Sequence, residues 1–164
     1  MKNDFKPVKN NQECEQIVQG TYHGTLAMCN DREPYAIPMN HAFIDGKFYF
    51  HCATTGHKLD MIKHNPNVVY VIQKYYGSEE DFKKSMECHG RWESIVAYGK
   101  ATIIDGKEEL RAAFIRYMSY HGKVDFEPSE SAYSKTRFIL FDVEKMTARR
   151  EFQDKSTEYW IWDK

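Results

Sequence analysis

Apolar and polar residues alternate with a period of two over much of this chain, and the stretches that break the alternation mark its helices and turns. Glu13 to Val18 predicts a short helix ahead of Gly20, and Tyr22 to Cys29 predicts a first strand ending in the turn Asn30-Asp31-Arg32-Glu33-Pro34. The clearest signal is Tyr35–Ile44, Asp45-Gly46, Lys47–Cys52: two β-type runs around an Asp-Gly pair, the signature of a hairpin on a type I′ turn. Pairing Ile44 with Lys47 sets Phe43 opposite Phe48, Ala42 opposite Tyr49, His41 opposite Phe50, Asn40 opposite His51 and Met39 opposite Cys52. Alternation then predicts a core face of Met39, His41, Phe43, Phe48, Phe50 and Cys52. The other face, with Pro38, Asn40, Ala42, Tyr49 and His51, is the one suited to recognition.

Further along, Leu59 and Ile62 share a helical face in a segment starting near Thr55 and stopped by Asn65-Pro66. Val68–Gln73 is a β-branched run, Tyr75–Gly90 a charged connection, and Trp92–Ile104 a strand. Asp105 and Glu108 have capping-box spacing ahead of Leu110, Ala113, Phe114, Tyr117 and Met118, which predicts the longest helix, closed near Gly122. A loop over Phe126–Ser131 precedes a last strand, Arg137–Val143, and a tail with Tyr159-Trp160-Ile161-Trp162. Five or six strands with two or three inserted helices predict a mainly β fold, a closed or nearly closed β-barrel that removes its own sheet edges. Residues 1–12 read as a flexible leader and 13–164 as a single domain.

Composition narrows the function. Lys plus Arg number 23 against 24 Asp plus Glu, so no basic excess points to nucleic acid or an anionic membrane. The start of the chain lacks the apolar segment of a signal peptide, and no apolar run reaches the length of a spanning helix, so a cytoplasmic location is expected. Cys14, Cys29, Cys52 and Cys88 show no CxxC spacing and are expected as free thiols, without a metal site. Aromatic residues make up 15% of the chain, more than an ordinary core requires, and they suit a β core, a subunit interface or a pocket for a flat ligand.

Two segments carry candidate chemistry. Thr54-Thr55-Gly56-His57-Lys58 is a strand-to-helix turn combining hydroxyls, a glycine and potential cations at a helix N-terminus, where free N–H groups and the helix dipole favour an anion such as phosphate. His51 stands on the recognition face of the hairpin, and alternation turns it away from Cys52, which disfavours a Cys–His dyad. Paired carboxylates, GxGxxG, P-loop and GxSxG arrangements are missing, so glycosidase, Rossmann, kinase-like and α/β-hydrolase readings lose support.

The order of several motifs resembles a known family. Gly24-Thr25-Leu26-Ala27, Pro34-Tyr35-Ala36-Ile37-Pro38-Met39, Gly46-Lys47-Phe48-Tyr49-Phe50-His51, Gly56-His57-Lys58-Leu59-Asp60, Asn65-Pro66 and Trp92-Glu93-Ser94-Ile95-Val96-Ala97-Tyr98-Gly99-Lys100-Ala101 occur together, with Arg137 to Thr147 after them. The combination resembles the flavin-binding split barrels related to pyridoxamine 5′-phosphate oxidase, and within them the nitroimidazole-resistance branch. The resemblance implies an FMN-binding split β-barrel that works as a homodimer, with FMN, or less often FAD, at the subunit interface. Carried over, Ile37, Pro38, Met39 and Asn40 would meet the isoalloxazine ring, largely through backbone groups. Ala53, Thr54, Thr55, His57 and Lys58 would form the phosphate end, and Trp92, Ser94 and Ile95 would come from the neighbouring strand region, in one version from the second subunit. His51 would lie near the flavin as the candidate catalytic residue. Where the oxidase has Arg ahead of the phosphate-site Lys this chain has His57, and its tail ends in Trp160 and Trp162 instead of a basic pattern; both departures argue against vitamin B6 oxidation. The resemblance therefore implies a flavin-dependent oxidoreductase reducing a small organic substrate, such as a nitroimidazole-type nitro compound, with electrons from a reduced nicotinamide. Two other uses of the same barrel remain open at this point: a haem-binding or haem-degrading protein with a histidine ligand, and a flavin-binding module without catalysis.

Overall fold

A computed structural model of the chain describes residues 8–31, 33–77, 92–151 and 157–162. Over these residues the chain forms nine strands and four helices. In order they are β1 (Val8–Lys9), α1 (Asn11–Gln19), β2 (His23–Cys29), β3 (Pro34–Asn40), β4 (Ala42–Ile44), β5 (Lys47–Ala53), α2 (His57–His64), β6 (Asn67–Tyr75), β7 (Trp92–Ile104), α3 (Lys107–Tyr120), α4 (Glu130–Lys135), β8 (Thr136–Glu151) and β9 (Thr157–Trp162). The fold is mainly β, a curled antiparallel sheet of half-barrel form.

The sheet closes on itself in an unusual way. Hydrogen-bonded neighbours run β3, β2, β6, β7, β8, β5, β4, and β4 continues β3 through one residue, His41. The ring is completed by a bend in a single chain segment. The expected Asp45-Gly46 turn is present, with φ of 52° and 74°, the two positive values a type I′ turn requires. Ala42, Phe43 and Ile44 pair with Tyr49, Phe48 and Lys47 in the expected register. The remaining expected pairs do not form: from Asn40 back to Pro34 the segment pairs with β2 instead. The switch occurs at His41, whose backbone N–H donates to Tyr22 O at 2.9 Å. A long straight hairpin would leave β2 with β6 as its one partner and the barrel open, so the bend closes the ring at the cost of a slot between β3 and the second half of β5.

The predicted core face is buried. Phe48, Phe50, Tyr70 and Phe141 pack with ring centroids 4.8–5.7 Å apart in the contacts that Phe48 makes with Tyr70 and Phe141 and that Phe50 makes with Tyr70, and Met39, His41, Phe43 and Cys52 join them. The opposite hairpin face is only partly a recognition face. Ala42 and Tyr49 are buried beneath Leu110, Ala113, Phe114 and Tyr117 of α3, so the helix takes the inner half of that face, leaving Pro38, Asn40 and His51 exposed.

Several element ends differ from the sequence reading. The helix cap falls on Gly106, not Asp105, and makes no side-chain cap bond. The Glu109 carboxylate lies against Gly106 in the space a Cβ would fill, and the expected Asp105–Glu108 box does not cap the helix. Helix α4 starts inside the expected Phe126–Ser131 loop and fills the stretch before the last strand; Ser129 caps it by accepting from Ala132 N at 3.2 Å. Of the expected leader, residues 1–7 lie outside the described residues, while Val8 and Lys9 pair in parallel with Trp160 and Ile161. The Tyr75–Gly90 connection lies mostly outside the described residues, Cys88 included. Trp160 and Trp162 are buried in the main core, with β9 paired to β8 and α1 laid against it. No helix of the described residues is long and apolar enough to cross a membrane.

Candidate functional site

The slot between β3 and β5 defines the site. Because His41 N–H bonds Tyr22 O, alternation along the antiparallel ladder turns the backbone groups of Tyr35, Ile37 and Met39 toward β2 and those of Ala36, Pro38 and Asn40 away from it. Pro38, which has no N–H to give a ladder, occupies an outward-turned position, as an edge proline must. Among the described residues no strand pairs with this second edge of β3. The edge therefore presents the carbonyl of Pro38 and both backbone groups of Asn40 to whatever lies in the slot.

Helix α2 closes one end of the slot. Gly56 caps it with φ 135°, a conformation that L side chains rarely adopt. Its carbonyl accepts from Leu59 N at 2.9 Å, so the first-turn amides of His57 and Lys58 have no carbonyl one turn back to bond. Tyr35 of β3 meets His57 edge to face at 4.7 Å, and Glu33 accepts from His57 Nε2 at 2.7 Å, tying the start of α2 to the start of β3. Lys58 is half-buried. A second cation lies at this end: Arg137, paired across the sheet with Cys52, donates to the carbonyls of Tyr133 and Thr136 at 3.0 and 2.9 Å. Burial raises the pKa of the Cys52 thiol, and the charges of Lys58 and Arg137 oppose the rise. Arg137 was legible in the sequence only as the start of a strand; the cross-strand register is what brings it here.

His51 stands on the outer face of β5, its ring 5.1 Å from Tyr117 and 6.4 Å from Phe138. Desolvation by these neighbours, and then the nearby His121, lower its pKa and keep the ring uncharged at neutral pH.

The candidate residues fall into two groups. Ile37–Asn40 lie on β3, His51 and Ala53 on the second half of β5, and Thr54, Thr55, His57 and Lys58 in the turn from β5 into α2, with Met39 buried and Ile37 half-buried on the inner side. Trp92, Ser94 and Ile95 do not join them. Pro38, Thr25, Val71 and Val96 form one row across the sheet, which sets β7 about 14 Å from β3 at about 4.8 Å per strand. Trp92 lies a further four residues along, about 13 Å, toward the end away from α2. Ile95 is fully buried in the core; Trp92 and Ser94 are half-buried, and Arg149 lies 5.5 Å over the Trp92 ring.

Between the two groups stretches an outer sheet face that, among the described residues, no helix covers. Its rows carry Ala36, Ala27, Val69 and Tyr98, then Pro38, Thr25, Val71 and Val96. A groove of about 320 Å³ crosses it beside Val69 and Tyr98. The face differs from that of β5 and the first half of β8, which α3 and α4 cover.

Comparison with known proteins gives a consistent result. A family model described as pyridoxamine 5′-phosphate oxidase matches residues 10–150. An uncharacterised protein of Rhizobium meliloti is 28% identical over 93 residues, 57% of this chain; the match spans 60% of that relative's length. Among solved structures, a protein described as a 5-nitroimidazole antibiotic resistance protein of Bacteroides thetaiotaomicron superposes with a TM-score of 0.70 at 24% identity, covering 86% of this chain and 84% of the other. A FAD-binding protein from Mesorhizobium loti gives 0.66 at 19% identity, over 87% and 96% of the two chains. An FAD and haem binding protein from Mycobacterium smegmatis gives 0.72 at 12% identity, over 86% and 71%. At these identities the superpositions establish a shared fold.

Proposed function

Because this chain belongs to the pyridoxamine 5′-phosphate oxidase family, we propose that it is a homodimeric flavoprotein, holding FMN or FAD and reducing a small organic substrate of the nitroimidazole type with electrons from a reduced nicotinamide. The observation that carries this reading is the meeting of an unpaired strand edge with a cationic helix start. The free edge of β3 has the donors and acceptors that the rim of a flat heterocycle needs, and α2 lies at its end with Lys58 and Arg137 nearby.

The residues fit the cofactor. Pro38 O and the Asn40 backbone would hydrogen-bond the ring edge. Thr54 and Thr55 hydroxyls, the first-turn amides of α2 and Lys58 would hold a phosphate, the kind of group helix N-termini favour. A bound flavin supplies the electron transfer between nicotinamide and substrate. His51, uncharged at neutral pH, would stand at the exposed side and offer substrate a hydrogen bond. Within one chain Trp92 and Ser94 are too far from α2 to share a flavin with it. The sheet face between them, uncovered among the described residues, supports a second copy as its cover, with the partner bringing its own Trp92 and Ser94 to the site.

Anaerobic stopped-flow mixing tests the reaction. Reduced nicotinamide should bleach the visible flavin bands, and a 5-nitroimidazole should restore them. Bands unchanged by the nicotinamide would contradict the oxidoreductase reading and leave a binding module.

A further inference from the structure

Beneath the free edge of β3 a buried hydrogen-bonded chain ends on the peptide that the edge presents. Tyr70 of β6 is fully buried, and its hydroxyl lies 2.8 Å from Met39 O and 2.9 Å from His41 Nδ1. The hydroxyl has one proton, and Met39 O can only accept, so Tyr70 donates to Met39 and accepts from His41 Nδ1–H. The contact from His41 Nε2 to Val18 O, at 3.4 Å, is too long to compete for the proton. To reach Met39 the Tyr70 side chain passes under β2 at Gly24, the residue paired with Met39. A Cβ on Gly24 would lie 2.8 Å from Tyr70 Cζ, 2.9 Å from its hydroxyl and 2.5 Å from Val71 O, so the passage exists only because that position is glycine.

Met39 O and Asn40 N–H belong to one trans peptide and point in opposite directions. The carbonyl faces β2 and Tyr70; the N–H faces the slot. A hydrogen bond accepted by a peptide carbonyl strengthens the same peptide's N–H as a donor, because bonds in a chain polarise one another. We infer that Tyr70, braced by His41, is a positioning residue for the cofactor, which orients and polarises the Met39–Asn40 peptide so that Asn40 N–H is a fixed, strengthened donor at the ring edge. The inference rests on the flavin reading above and adds to it a buried residue that touches neither ring nor phosphate.

Tyr70→Phe keeps the ring, which packs 5.0 Å from Phe48 and 4.8 Å from Phe50, and removes only the hydroxyl. In flavin-free protein the carbon shift of the Met39 carbonyl and the nitrogen shift of the Asn40 amide should both move. FMN affinity should fall about 3- to 10-fold, the scale of one hydrogen bond, and the midpoint potential of bound FMN should drop, since a weaker donor stabilises the reduced ring less. His41→Gln, which loosens the brace but leaves the hydroxyl, should move all three in the same direction by less, and serves if Tyr70→Phe fails to fold. Unmoved Met39 and Asn40 shifts, or wild-type affinity and potential in a folded Tyr70→Phe protein, would overturn the inference. Wild-type protein that takes up no FMN, while the shifts do respond to Tyr70→Phe, would instead refute the flavin reading and with it the cofactor role.

Discussion

Acid should unfold this protein partly through one buried imidazole. His41 is fully buried at the β3–β4 bend, and desolvation pushes its pKa down to about 4 from an ordinary 6.5; the contact with Val18 O opposes the shift, while His121 and His23 add to it. Because the folded form binds its proton less tightly than the unfolded chain, His41 stabilises the fold fully above pH 6.5, and the contribution is lost as pH falls toward 4. A gap of about 2.5 pH units is worth about 3 kcal/mol at 1.36 kcal/mol per unit. For a chain of this size that is about 6–12 °C in Tm. Urea unfolding from pH 7 to pH 4 checks it, with wild type measured beside His41→Gln, which titrates nowhere in the range. Carboxylate effects are common to both proteins, so the stability difference between them isolates the imidazole. That difference should shift against wild type by about 3 kcal/mol across the range. Parallel curves, or a folded-state His41 that titrates near the ordinary value by NMR, would refute the reasoning.

Three further perturbations test other parts of the account. Lys58→Ala removes the helix-start cation and should weaken FMN retention about tenfold, the scale of one hydrogen bond to a charged group; fluorescence titration reads it, and wild-type affinity would count against the phosphate assignment. Arg150→Leu leaves the nearly buried Glu93 without the guanidinium that donates to it at 2.5 Å and that also meets Glu13 at 3.4 Å. It should cost about 3 kcal/mol, the lower end for a broken buried pair, and Arg150→Leu with Glu93→Gln should recover part of the loss in denaturant unfolding. Val96→Arg puts a charge in the middle of the bare sheet face and should turn a dimer into a monomer by sedimentation; an unchanged dimer would move the interface elsewhere.

Local signals made much of the fold legible. The Asp-Gly turn carried both its conformation and the first three pairs of its register, and period-two alternation found the buried face of β5. What it could not show is where a strand changes partner. His41 looks like one more inward residue of a straight strand, and only the competing need of the second edge of β2 for a neighbour bends the chain there. The same limit explains α3 over Ala42 and Tyr49, since a sheet face that is small and aromatic reads alike whether a ligand or a helix covers it. Of the site, the Thr54–Lys58 turn was legible because its chemistry is local. Arg137 and Tyr70 were not, because each acts across a register that no spacing along the chain encodes.

The central claim is that the slot between β3 and α2 is built for a flavin. The most direct measurement is the visible absorption of the protein purified without added cofactor, followed by heat denaturation and mass identification of any released chromophore. Flavin bands, with FMN or FAD in the supernatant, are the expected result. Colourless protein that also fails to take up added FMN or FAD, and acquires a Soret band with haem instead, would contradict it.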